Sequence, residues 1–278
     1  MYEKHWNLKE KPFQNTPDPR YLYLSGQHED ALMKLSYVVA QRLGCGLLSG
    51  VFGCGKTLLG KVLLNDLGAG RYSCAFINNP QVSEPAELFR AIVRNLGGQA
   101  LPDKKSDLLL DPLLEKLQAI LVDNARDGKE TIIIIDEAHA IEDPKIFEQM
   151  RLLLNFQLED RFLLTLLILG QPEIKDKIEN LKALDQRIAV RCHIGPLSDE
   201  DVSKYINHRL KVAGWQPPSL ESAIFSKEAM DVIFKHSGGI PRRINNLCDL
   251  ALMNGFARKV NRIEADLVNS VIKDFSIA

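Results

Sequence analysis

Residues 131–141 read TIIIIDEAHAI. Four β-branched residues in a row, Ile132 to Ile135, favour a strand, and apolar residues on both faces favour one buried on both sides. Such a strand belongs in the middle of a parallel sheet covered by helices. The run stops at two acids, Asp136 and Glu137. In open α/β sheets ligands sit at the carboxyl ends of the strands, so this pair stands where a ligand would be met. Taken alone, two acids could also end a strand and open a turn.

A second stretch gives the acids a partner. Gly50-Val51-Phe52-Gly53-Cys54-Gly55-Lys56-Thr57 fits the spacing G-x-x-x-x-G-K-[ST], between a short strand at 44–50 and an amphipathic helix. A triphosphate needs several backbone N–H groups aimed at one point, and side chains would block that approach. Glycines at 50, 53 and 55 permit it, and the following helix adds the positive end of its dipole. Lys56 is expected to reach the β- and γ-phosphates, and the Thr57 hydroxyl to bind Mg²⁺. Phe52, Cys54 and Leu58 complete the candidate nucleotide contacts, Cys54 being most simply a small residue in the loop. Lys56 is expected to be exposed when the loop is empty. A phosphate loop and an apolar strand ending in Asp-Glu are two halves of an NTPase site. Asp136 is then expected in the Mg²⁺ shell, and Glu137 orienting and polarising the attacking water.

The rest of the chain supplies the frame. Helices are expected at about 27–43, from Ser83 and Pro85 to Leu96 before Gly97 and Gly98, from Asp111, and at about 144–158. Further strands are expected at 72–80, 162–170 and 189–197, with a loop at 99–110. Strands alternating with helices mean a doubly wound, five-stranded parallel sheet. After Leu197 the pattern is helical to the end, opened by a capping-box signal at Ser198 and Asp201 and broken near 214–222 and at Gly238-Gly239. The expected division is an α/β nucleotide-binding domain with an N-terminal arm, 1–197, and an all-helical lid, 198–278.

Composition fits a globular protein: 278 residues, 45% hydrophobic, 26% charged, net charge −1. That charge advertises neither nucleic acid nor anionic lipid. Five scattered cysteines without a C-x-x-C pair fit reduced thiols in a cytoplasm. No apolar run is long enough to span a bilayer, and the first residues lack a signal-peptide pattern.

Further positions suit a nucleotide. LILGQPEI places Gln171 at the end of the fourth strand, within reach of a γ-phosphate or the attacking water; a turn residue before Pro172 is the plainer alternative. In LKALDQRIAVRC, Arg187, with Arg191 second, can project into a neighbouring subunit's site as an arginine finger; a surface salt bridge is the plainer alternative. Arg242 and Arg243 follow Pro241 at a helix start, where cations oppose the dipole. A phosphate facing that helix explains the choice, and Arg242 is the candidate sensor, ahead of Arg243. The D-E-A-H spelling is also a helicase signature. A second α/β domain does not fit in the remaining chain, so the spelling is read as incidental and His139 as a polar residue opening the next helix.

In order, the phosphate loop, the DE strand, a polar strand end, an arginine before the fifth strand and G-x-P-R in a helical lid resemble an AAA+ ATPase. More narrowly, MYEKHWNLKEKPFQNTPDPRYLYLS, IIIIDEAHAI, MRLLLNF, LILGQPEI, QRIAVRCHIGPLS and YINHRLKVAG resemble the ExeA/GspA family. That resemblance implies ATP and Mg²⁺ as cofactors and the roles given above for Lys56, Thr57, Asp136, Glu137, Gln171, Arg187 and Arg242. It also implies that the arm, with Tyr21, Leu22 and His28, lies near the nucleobase. It implies an ATP-dependent homo-oligomer working with an envelope-assembly protein in secretion, type IV pilus assembly or exopolysaccharide export. The membrane helix and peptidoglycan-binding region of longer secretion members are missing here. The expectation is therefore a cytoplasmic motor or switch, membrane-associated through a partner. The competing reading is an ATP-gated DNA-binding regulator of the transposition type, with Arg258, Lys259 and Arg262 as basic contacts.

Overall fold

The computed structural model describes residues 1–68, 70–78, 80, 82–97, 109–159, 161–216 and 223–275. Its contacts divide the chain into two units, one of Gly26–Val51 and Leu59–Ile194, the other of Met1–Ser25, Phe52–Leu58 and Gly195–Ala278.

The first unit holds five strands: β1 Cys45–Gly50, β2 Tyr72–Ile77, β3 Glu130–Ile135, β4 Leu164–Gly170 and β5 Ile188–Ile194. All pair in parallel, in the order β2-β3-β4-β1-β5. β1 and β4 are buried along their whole length, whereas β5, at an edge, alternates buried and exposed residues. The alternation is what one covered face produces. Helices lie on both faces. On one, Phe89 and Ile92 of α3 (Pro85–Asn95), Leu117 of α4 (Leu110–Arg126) and Met150 of α5 (Pro144–Leu153) share a core with Ile133, Ile135 and Leu166. On the other, α1 (Gly26–Ala40) and α2 (Lys56–Asp66) come close enough to need glycines. A Cβ on Gly46 would sit 3.4 Å from Leu35, and one on Gly60 would sit 3.1 Å from Leu169. The doubly wound parallel sheet expected from the alternation is the observed architecture. α6 (Glu173–Glu179) and α7 (Lys182–Asp185) join β4 to β5.

The strand order places a switch at β1. The chain goes from β1 to the far edge, β2, and works back through β3 and β4, while β5 adds on the other side of β1. The carboxyl ends of β3, β4 and β1 are therefore neighbours. Their register sets Ile135 beside Ile168 and Gly170 beside Ser49.

Two boundaries differ from expectation. α5 stops at Leu153 because Phe156–Leu158 pair with Arg161–Leu163 instead: Leu158 N–H donates to Arg161 O (2.8 Å) and Leu163 N–H to Phe156 O (2.9 Å). Those backbone groups are then lost to a longer helix. β5 ends at Ile194, before Pro196, which cannot donate to a ladder. The expected loop at 99–110 lies largely outside the described residues, as do Gly98 and part of the expected break at 214–222.

The second unit is helical: α8 Asp199–Val212, α9 Lys227–Ser237, α10 Pro241–Ala257 and α11 Ala265–Phe275. Ser198 caps α8 by accepting from Asp201 N–H (3.1 Å). The aromatic arm shares this unit's core: Tyr2, Trp6, Phe13 and Tyr21 pack with Val202, Ile206 and Leu252. Trp6 Nε1–H donates to Leu252 O (3.0 Å). Arg209, buried on α8, donates to the carbonyls of Pro12 (2.6 Å) and Gln14 (2.8 Å) and stacks 4.7 Å over the Tyr21 ring. Charge-assisted hydrogen bonds, the Tyr21 ring and the Tyr205 ring at 5.7 Å compensate its desolvation. Among the described residues, no helix is long and apolar enough to cross a membrane.

Candidate functional site

The glycine-rich loop needs its glycines for different reasons. A Cβ on Gly50 would lie 2.5 Å from the Ile194 carbonyl oxygen, so strand packing alone demands glycine there. Gly53 and Gly55 adopt φ of +84° and +97°, the left-handed region. At Gly53 a Cβ would also meet that of Arg242 at 2.9 Å. The two segments approach closely: Arg242 N–H donates to Gly53 O (3.3 Å), and its guanidinium lies 4.6 Å over the ring of exposed Phe52. Arg242 and Arg243 are exposed at the start of α10.

Lys56 opens α2 and is 3% exposed, not exposed as expected. That burial is a property the spacing of the motif does not encode. Cys54 is buried, and burial pushes its thiol up to about 11 against the pull of the Lys56 cation. It stays a neutral thiol at physiological pH, which leaves a redox role without its thiolate. Thr57 and Leu58 are half-buried.

At the sheet's carboxyl edge, Asp136 is fully buried directly after β3, and its backbone N–H donates to Ile77 O (2.9 Å). Asp136 Oδ1 accepts from Glu137 N–H (2.9 Å). Glu137 itself has φ 54° and ψ 32°, a left-handed conformation unusual for a residue with a Cβ. Gln171, directly after β4, faces His139 across the turn. His139 lies on a short 3-10 turn, Ala138–Ala140, with Nε2 3.5 Å from Glu137 Oε2 and 2.9 Å from the Gln171 side-chain amide. The expectation that His139 merely opens the next helix is corrected: the ring sits between the two candidate catalytic side chains. Its only trace in sequence was the D-E-A-H spelling.

The two candidate arginines separate, Arg187 just before β5 and Arg191 within it. Arg191 is exposed and forms an ion pair with Asp185 (2.5 Å). Arg187 donates to the Leu154 carbonyl (3.1 Å), and among the described residues no carboxylate pairs with it. The plainer salt-bridge reading thus belongs to Arg191. Tyr21 and Leu22 lie on the arm, Tyr21 buried and Leu22 half-buried; His28 is buried in the first turn of α1.

The donors present suit a nucleotide with Mg²⁺. The loop offers backbone that a Cβ would obstruct, and Thr57 and Asp136 offer the hard oxygens that Mg²⁺ selects. Among the described residues no cluster of three or more His, Cys, Asp or Glu could hold a metal by itself.

A family profile described as AAA domain matches residues 40–178. The chain is 38% identical over 265 residues to General secretion pathway protein A of Aeromonas hydrophila, an alignment covering 95% of this chain and 46% of that protein. It therefore spans about half the length of that curated relative. Among solved structures, the Aeropyrum pernix ORC2 protein in ADPNP-ADP complexes superposes with a TM-score of 0.71 at 17% identity, covering 97% of this chain and 72% of the other. The Aeropyrum pernix ORC1 protein in complex with DNA gives 0.71 at 18%, covering 95% and 69%. These two likenesses are of fold.

Proposed function

The chain belongs to the AAA-domain ATPases, and from that premise we propose that it hydrolyses ATP in an oligomer to drive or switch assembly of a bacterial envelope system. The systems in question are secretion, type IV pilus assembly or exopolysaccharide export. The observation that carries the chemistry is the placement of Gly50, Asp136-Glu137 and Gln171 directly at or after the carboxyl ends of three adjacent parallel strands. The envelope assignment rests on kinship along nearly the whole chain to a general secretion pathway protein.

In this reading the loop from Gly50 through Leu58 cradles the phosphates, with Lys56 on the β- and γ-oxygens. Thr57 and Asp136 would hold Mg²⁺, whose charge would offset that of the phosphates. Glu137 accepts a hydrogen bond from the attacking water and draws its proton as the bond to the γ-phosphorus forms and the bond from that phosphorus to the β–γ bridging oxygen breaks, releasing ADP. Gln171 contacts the γ-phosphate. Arg242 senses the phosphates from α10, and Tyr21, Leu22 and His28 border the base. Arg187, free of any carboxylate partner among the described residues, serves a neighbouring subunit's site in trans. The working division is a nucleotide-binding domain, 1–197, whose arm, Met1–Ser25, packs in the core of the helical unit, and a lid, 198–278. The place of work is the cytoplasm, at the membrane only through a partner.

Mixing tests the shared site. Specific activity should rise with protein concentration. Arg187→Ala and Glu137→Gln, each inactive alone, should partly recover activity together, because an intact Glu137 site then receives an intact Arg187. Concentration-independent activity, with no recovery among exchanging subunits, would reduce Arg187 to a brace on Leu154. The second reading, an ATP-gated DNA binder, is favoured by the DNA complex of the Aeropyrum pernix protein. A net charge of −1 opposes it. Duplex DNA that raises ATPase activity at low salt and loses its effect at high salt would favour that reading.

A further inference from the structure

We propose that His139 is a positioning residue that couples Glu137 to Gln171, so that the water-polarising acid and the phosphate-sensing amide work as one unit; this rests on the roles proposed above for those two side chains. The ring's protonation pattern follows from its partners. Nδ1 accepts from the Gln171 backbone N–H (3.3 Å). An imidazole that accepts at Nδ1 carries its proton on Nε2. Nε2–H stands 3.5 Å from Glu137 Oε2, an ion-pair distance, and 2.9 Å from the Gln171 side-chain amide nitrogen, whose place the amide oxygen takes as acceptor when the amide is flipped. One donor thus stands between two acceptors, with Gln171 the nearer. When Gln171 reaches toward a γ-phosphate, the proton on Nε2 is left to Glu137 alone and fixes the orientation of its carboxylate. When Gln171 returns, that hold is shared and weakens.

The turn that carries the ring is held independently of either partner's side chain. Lys177 of α6 donates to the carbonyls of His139 and Ile141 (2.8 Å to the latter), which clamps the turn from below. Gly170 lets the turn close on β4: a Cβ there would lie 3.3 Å from His139 N and 3.0 Å from Ile174 Cβ. Glu137 in its left-handed conformation directs the chain into this turn. A half-buried histidine with an ordinary packing role needs one polar partner. This one contacts both candidate catalytic side chains and borrows the backbone of one of them. The charged groups around it are Glu137 on the ring side and Lys177 on the backbone side.

The experiment measures steady-state ATPase kinetics for His139→Ala, His139→Gln, Gln171→Ala and the double variant His139→Ala/Gln171→Ala, beside Glu137→Gln. His139→Ala should lower kcat on the order of 10²-fold with KM for ATP little changed, the signature of an interaction made in the transition state. His139→Gln, which can return an N–H to Glu137, should recover much of the loss. The double variant should be no slower than the slower single variant, as for residues that act together. If alanine loosens the turn, His139→Phe fills the space without a donor and should be slow where His139→Gln is fast. Losses that multiply, equal rates for Phe and Gln, or a His139→Ala enzyme at wild-type kcat would overturn the coupling. Near-normal turnover by Glu137→Gln would instead overturn the underlying site reading.

Discussion

Two turns in this protein carry left-handed backbone just after a strand, and they are built from opposite materials. In the phosphate loop the positive φ angles fall on Gly53 and Gly55. At the end of β3 the same region is occupied by Glu137, a residue that pays for its Cβ. In the loop the backbone N–H groups are the functional atoms, so the side chain is dispensable and glycine relieves the geometry. At the acid turn the carboxylate is the functional group, so the strain stays, typically about 1–3 kcal/mol for such a conformation. Strain remains where a side chain is needed and is removed where only backbone is.

Substitutions break this contrast from either side. Among the changes in binding and stability the largest belongs to Lys56→Ala, the loop's one cationic side chain: ATP affinity by calorimetry should fall roughly 10- to 100-fold for loss of a charge-assisted bond. Because Lys56 is 3% exposed, its melting curve should be compared as well. Unchanged affinity would reject the phosphate-loop assignment. Gly53→Ala should destabilise by about 1–3 kcal/mol in thermal or chemical melts, from positive φ together with the 2.9 Å approach to Arg242 Cβ. Glu137→Gly should behave in the opposite sense, melting no lower than wild type and up to about 1 kcal/mol higher while losing hydrolysis. A clear loss of stability there would show that the acid turn is not strained. The smallest effect is Arg191→Ala, which removes an exposed ion pair with Asp185 and should cost no more than about 1 kcal/mol.

What the sequence disclosed follows the same division between local and assembled features. The four-isoleucine strand and the glycine-spaced loop are legible because composition and spacing within ten residues decide them. The left-handed state of Glu137 is not, since nothing in Asp-Glu-Ala-His demands it. His139 and Gln171 are 32 residues apart and meet only because β3 and β4 are neighbours with Ile135 beside Ile168. Lys56 was expected in solvent because a lysine's burial depends on what surrounds it. The end of α5 was overrun because its apolar spacing continues past Leu153, while the backbone beyond is already committed to Arg161–Leu163. The arm's aromatics declared themselves apolar, but composition does not say that Arg209 would hold the arm to α8.

The central claim is that the loop binds and the acid turn performs the water chemistry, and Glu137→Gln tests it most directly. Equilibrium ATP binding and single-turnover hydrolysis should be measured on the same preparation. The account predicts wild-type affinity with hydrolysis slowed by about 10²-fold or more. Hydrolysis at the wild-type rate with affinity intact would contradict it, and would leave Glu137 a strained residue without a catalytic reason.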